Sequence, residues 1–252
     1  MATWLTTAAI RMAASLGYSS MMPWSQLFGN TFTGNGARAR QLALTYDDGP
    51  TEVDTLNLLE VLDRHEAKAT FFMLGRNVKA RPEIAQAVAA AGHAIGNHTY
   101  NHPNLVFCSP SRIREELDQC ERVLTDTVGE HSPLFRPPFG ARRPDVIQLV
   151  REAGLIPVMW TVTAFDWSAK SSAEIEDHVH RHVKGGEIIL MHDGDFAGLA
   201  DRSLTVAATG HLIRRYQDRG FSFVSIPEMM ASQAQDQLDR QLRRREYGSE
   251  SG

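Results

Sequence analysis

The chain has 252 residues, 42% of them hydrophobic, enough to bury a sizeable core and of a length that suits one large α/β domain. A formal net charge of -4, with no basic stripe interleaved with aromatics, excludes nucleic acid as a partner. The two thiols, Cys108 and Cys120, form no Cys-x-x-Cys pair, which argues against thiolate zinc ligation and dithiol redox chemistry.

Residues 1–40 read as a poorly patterned lead-in, with Gly29, Gly34 and Gly36 marking loop. Arg11 interrupts the only alanine-rich apolar stretch, so no clean export signal is present. A cytoplasmic chain is the expectation, a degenerate N-terminal anchor over residues 8–16 its alternative, and no run approaches a membrane span. An apolar strand follows at 41–46, then a helix over 52–65 with Leu56, Leu59, Val61 and Leu62 on its face. A buried strand spans 69–74 and stops at Gly75; a helix over 81–91 ends at Gly92, and a short strand occupies 93–97. Ile113, Leu117, Cys120 and Leu124 recur at helical spacing over 109–128, before a strand at 134–135. The alternation continues through helix 145–153, strand 156–162, helix 173–183, strand 187–191, helix 204–219 and strand 221–226. A last helix after Pro227 runs into a charged tail over 231–252. Such alternation implies a parallel sheet, and its density over 41–230 predicts a closed or nearly closed barrel rather than an open sheet.

In a parallel barrel, reactive groups collect where strands end at their C-terminal side. Asp47 and Asp48 follow the first strand, His98 and His102 the third, Arg136 the fourth, Asp166 and Trp167 the fifth, and His192 and Asp193 the sixth. On extended backbone, Asp47 and Asp48 face opposite ways, which leaves one for a metal and one for protons. A lone Asp-Asp-Gly-Pro reads equally well as a solvated turn. His98 and His102, four apart, bring two imidazoles to one side of a helical turn or tight loop, and with Asp48 they make a two-histidine, one-carboxylate set. Three protein ligands leave positions open for water and substrate, as a hydrolytic metal requires.

Together these segments resemble the NodB-like polysaccharide deacetylases, the fourth family of carbohydrate esterases. Thr45-Tyr46-Asp47-Asp48-Gly49-Pro50 is similar to that family's first motif, His98-Thr99-Tyr100-Asn101-His102 to the second, Arg136-Pro137-Pro138-Phe139-Gly140 to the third, Phe165-Asp166-Trp167 to the fourth and Leu190-Met191-His192 to the fifth. The resemblance implies a distorted (β/α) barrel of seven to eight parallel strands acting on an N-acetylated glycan such as chitin-like chains or peptidoglycan. It further implies that Asp48, His98 and His102 hold a divalent metal, zinc ahead of cobalt or manganese, and that Asp47 is the general base, kept in place and ionised by Arg136. His192 is implied as the acid that protonates the departing amine, held and raised in pKa by Asp166. The resemblance also implies that the Phe139 backbone N–H stabilises the oxyanion and that Trp167 and Leu190 wall the acetyl pocket.

One departure stands at Thr163, three residues before Asp166, where many relatives carry an acid and a hydroxyl adds no charge. His178, His180 and His182 read as a solvated helix, His93 as a core or outer-layer group, and Asp193 and Asp195 as loop or groove residues. The alternatives to an amino-sugar N-deacetylase are an O-acetyl esterase on xylan, a hydrolase of small linear amides, and a carbohydrate-binding protein without catalysis.

Overall fold

Strand β1 (Gln41–Asp47) separates an inside from an outside. Leu42, Leu44 and Tyr46 join the large cluster beneath the helices, whereas Ala43 packs in the smaller cluster within the sheet's curl and Thr45 and Asp47 meet Arg136 there. In this computed structural model, which describes residues 22–36 and 39–248, β1 lies at the centre of an eight-stranded parallel sheet. Residues 8–16, where an anchor is the alternative reading, lie outside the described residues.

After β1 come α1 (Asp54–Arg64), β2 (Ala69–Met73), α2 (Gly75–Ala80), α3 (Pro82–Ala90), β3 (Ala94–Asn97) and α4 (Pro110–Val128). Then follow β4 (Leu134–Phe135), α5 (Pro144–Glu152), β5 (Ile156–Pro157), β6 (Val162–Thr163) and α6 (Ser172–His182). The chain finishes with β7 (Ile188–His192), α7 (Ser203–Gln217), β8 (Ser222–Phe223) and α8 (Ile226–Gly248). Local chemistry sets several boundaries. The Ser109 side chain accepts the Arg112 N–H and Pro110 supplies a fixed φ at the first turn of α4, while Ser171 caps α6 through the Glu174 N–H. α4 then turns Ile113, Leu117, Cys120 and Leu124 inward, where each fully buried large aliphatic contributes about 1.5–3 kcal/mol.

The strands run in the order β5-β4-β3-β2-β1-β7-β6, with β8 wedged beside the start of β1. All named pairs are parallel, and the sheet curls into a distorted (β/α) barrel. The single strand expected over 156–162 is two. β5 pairs with β4 at one edge and β6 with β7 at the other, so one short stretch of chain crosses the seam. Residues between them change partner: Val158 N–H still donates to Phe135 O, Met159 N–H donates to Phe32 O, and Thr161 N–H donates to Ile188 O. Phe32 thus fills the seam with an isolated parallel bridge to Val158, so part of the stretch read as lead-in packs into the sheet. Arg142, fully buried, fixes this segment by donating to the carbonyls of Met22 and Ser25. α2 is a further difference: Gly75 starts a short helix instead of merely ending β2.

Candidate active site

Six non-glycine residues among those described hold positive φ, and five of them, Asp48, Thr99, His102, Phe139 and Phe165, lie at strand ends on one rim of the barrel. Such backbone costs on the order of 1–3 kcal/mol per residue and persists only where surroundings enforce it. At Asp48, φ of 78° breaks the strand's alternation. The two acids therefore do not face opposite ways: both line the same cavity of about 460 Å³. Gly49 makes the turn feasible, because a Cβ there would stand 2.0 Å from the Asp193 carboxylate. Asp193 faces this turn, accepting from Gly49 N–H and Thr55 Oγ1, and burial lifts its carboxyl to about 7. Asp195, by contrast, lines the cavity.

Asp48, His98 and His102 bring ligand atoms within 4.8 Å of one another, and this is the one such group of three found among the described residues. Asp48 Oδ1 lies 3.5 Å from His98 Nε2 and 3.2 Å from His102 Nε2. His98 Nδ1–H donates to Arg136 O at 2.7 Å, which turns the lone pair of Nε2 toward Asp48. Burial pushes both imidazoles down to about 3, with His98 adding to the effect at His102, so both stay neutral near neutrality. Burial also lifts Asp48 to about 6. Asp48 Oδ1 is buried without a hydrogen-bond donor. A buried carboxylate oxygen facing two imidazole lone pairs is a donor set that a divalent cation satisfies and protein groups do not.

Beside this set, Asp47 Oδ1 accepts from Arg136 Nη1 at 2.7 Å, and the same nitrogen donates to Thr45 Oγ1. Arg136 is fully buried, with its guanidinium carbon 4.1 Å from the Phe72 ring centroid. Burial pushes the Asp47 carboxyl above its ordinary range; Arg136 opposes this without overcoming it. The expected ionising influence of Arg136 is present, but Asp47 is a stronger proton acceptor than an exposed carboxylate. Asp47 and His192 are register partners on adjacent strands. Asp166 Oδ1 accepts from His192 Nδ1–H at 2.9 Å, while its Oδ2 accepts from the His192 backbone N–H and from Thr205 Oγ1. Burial opposes a charged His192, but Asp166 and then Asp47 and Asp48 outweigh it and hold the imidazole above its usual value.

Phe139 sits in a tight turn whose return bonds use the N–H groups of Gly140 and Ala141, neither of them its own. Its ring meets His102 edge-on at 4.5 Å. Trp167 stands edge-on to His192 at 5.4 Å, and Leu190 completes that wall. The structure thus brings the ten sequence-derived positions together, eight lining the cavity, with Arg136 behind Asp47 and Asp166 behind His192. Thr163 accepts a hydrogen bond from Trp160 Nε1, so the hydroxyl fixes a cavity-lining ring where relatives are expected to carry charge. Sequence reasoning missed Trp160, Phe196 and Arg202, which also line the cavity. Phe196 stacks flat on His102 at 5.5 Å from a loop with no periodicity, and only its aromatic character four residues beyond His192 signalled it. The remaining histidines take other roles: His93 Nδ1 accepts the Ala69 N–H in the core, and His180 pairs with Tyr216.

A polysaccharide deacetylase family model matches residues 34–158, and a chitooligosaccharide deacetylase of Sinorhizobium fredii is 37% identical over 201 residues, covering 77% of this chain and 94% of the relative. The chain belongs to the polysaccharide deacetylase family. Among solved structures, this deacetylase is similar to a peptidoglycan N-acetylglucosamine deacetylase bound to an N-hydroxybenzamide (32% identity, TM-score 0.73, covering 79% of this chain and 91% of that one). It is also similar to a CE4 family pseudoenzyme of Bacillus anthracis (28% identity, TM-score 0.73, covering 79% and 68%).

Proposed function

We propose that this polysaccharide deacetylase removes N-acetyl groups from N-acetylglucosamine units of a chitin-like oligosaccharide or of peptidoglycan glycan, releasing acetate. The observation that carries the reading is the pairing of a proton acceptor and a proton donor on adjacent strands, Asp47 with Arg136 and His192 with Asp166, beside a three-ligand set. Names of relatives that act on chitooligosaccharide and on peptidoglycan N-acetylglucosamine support the substrate class.

Asp48, His98 and His102 would hold the divalent metal, zinc by the nitrogen and carboxylate character of the set. Bound there, such an ion polarises an acetyl carbonyl and lowers the pKa of water. Asp47 Oδ2, the oxygen not committed to Arg136, takes a proton from the attacking water as oxygen bonds to the carbonyl carbon. The Phe139 N–H donates to the oxyanion that develops. His192 Nε2–H then gives its proton to the amide nitrogen, the C–N bond breaks, and glucosamine leaves as the free amine with acetate as the second product. Trp167 and Leu190 bound the space that the acetyl methyl enters, and Arg136 keeps Asp47 aimed while its own charge stays buried.

Zinc-loaded protein incubated with chito-oligosaccharide and with peptidoglycan fragments should release stoichiometric acetate and leave products lighter by one acetyl per event, read by mass spectrometry. Glycan binding without acetate release, with zinc, cobalt and manganese each supplied, would overturn the catalytic reading.

A further inference from the structure

We propose that Glu116 on α4 is the positioning residue that shapes the loop carrying His98 and His102, and so sets the affinity of the three-ligand set for its metal. The inference rests on the metal reading given above. Glu116 is fully buried, lies outside the cavity, and takes no part in the proposed proton transfers.

Between the two histidines, Thr99 and His102 both adopt left-handed backbone, with φ of 70° and 63°. A β-branched threonine at positive φ is an outlier, so the loop's neighbours must impose the shape. Neighbours on both sides of the turn bind its backbone polar groups. Gly75 N–H donates to Thr99 O and Arg76 N–H to Tyr100 O, which fixes the carbonyl side against α2. On the opposite side, the N–H groups of Tyr100 and Asn101 both donate to Glu116 Oε2, at 3.0 and 2.7 Å. Asn101 Nδ2 donates to Glu116 Oε1 at 3.0 Å, and Arg112 Nη2 donates to the same oxygen. Two consecutive N–H groups aimed at one point are held together by a single acceptor that takes both, and a carboxylate oxygen does so most strongly.

The consequence reaches the ligands directly. His102 N–H donates to Thr99 Oγ1 at 3.0 Å, and His98 leads straight into the same turn, so relaxing residues 99–101 swings both imidazoles relative to Asp48. A neutral isostere keeps the volume of Glu116 but presents an NH₂ group to one of its two sets of donors.

Zinc affinity by competition with a chromophoric chelator, and the visible spectrum of the cobalt-loaded protein, test this in wild type, Glu116→Gln and Glu116→Asp. Weakening of zinc binding by about 10–100-fold is expected in Glu116→Gln, together with a changed cobalt band, in protein that still unfolds cooperatively without metal. Glu116→Asp, one methylene short of both N–H groups, should show the same direction and supplies the reading if the glutamine variant does not fold. Arg112→Met leaves the carboxylate on the loop and should keep zinc affinity within a few fold, whatever it does to melting temperature. A folded Glu116 variant with wild-type zinc affinity and an unchanged cobalt spectrum would overturn the assignment while leaving the metal site intact. Wild-type protein that binds neither ion would instead remove the metal reading beneath it.

Discussion

Replacing Asp166 with asparagine should convert His192 from a charged to a largely neutral imidazole without touching any metal ligand. Asp166 Oδ1 stands 2.9 Å from His192 Nδ1, with the carboxylate fully buried. At an effective dielectric of about 20 and a charge separation of about 4 Å, that carboxylate stabilises the imidazolium by about 4 kcal/mol. This corresponds to roughly a thousandfold in proton affinity. General acid catalysis contributes about 10²–10⁴-fold, so kcat for Asp166→Asn should fall by about 10²–10³-fold near neutral pH. The alkaline limb of the rate profile should also move to lower pH, because His192 now loses its proton sooner. Initial rates of acetate release across pH, with zinc content measured on the same samples, give both quantities. A variant with full zinc occupancy, more than a tenth of wild-type kcat and an unmoved alkaline limb would refute the assignment of His192 as the acid.

Asp47→Asn keeps an acceptor for Arg136 and should fold, bind zinc within about tenfold of wild type by the same competition measurement, and lose about 10²–10⁴ in kcat. His102→Ala should abolish stoichiometric zinc binding in equilibrium dialysis while preserving the far-ultraviolet circular dichroism of the fold. Zinc supplied a thousandfold above its Kd stabilises the folded chain by about 4 kcal/mol, so chelation should lower Tm by roughly 8–16 °C in calorimetry. Acid should loosen the metal first, as Asp48 takes up a proton near 6. In metal-free protein, His98 and His102 stay neutral down to about 3 although their unfolded value is 6.5. The unfolded chain therefore binds more protons, and these two residues make stability fall as pH drops from about 6.5 toward 3. Asp48, raised to about 6, acts in the opposite direction between about 6 and 3.8. Urea midpoints across that range read the balance.

Much of this was legible because reactive residues follow apolar runs whose period declares a strand. Leu42, Leu44 and Tyr46 announced β1, and Ile188 to Met191 announced β7, so Asp47 and His192 could each be placed at a strand tip on the reactive rim, while their adjacency came only with the strand order. Asp48 shows the limit of that logic. Alternation assigns it to the far face, and only a left-handed φ, invisible in a period of two, turns it into the same cavity. The split of 156–163 was hidden for a related reason: Ile156 to Val162 is apolar but for Thr161, and pattern cannot tell one buried strand from two that pair at different edges. Phe196 was out of reach because its position comes from loop tertiary contacts, with Arg76 Nη2 donating to its carbonyl and its ring on His102.

The seam crossing has a mechanical side. Arg136 follows β4 and His192 ends β7, and β5 and β6 attach those two strands to each other through the four residues 158–161. The arginine that steadies one proton carrier and the strand bearing the other are thus joined across the seam by a short clasp as well as through β3, β2 and β1, with Phe32 bridged to that clasp. Lengthening that clasp by even one residue would leave Asp47 and His192 in register on β1 and β7, yet let Arg136 drift from the carboxylate it steadies although no reacting group had been altered.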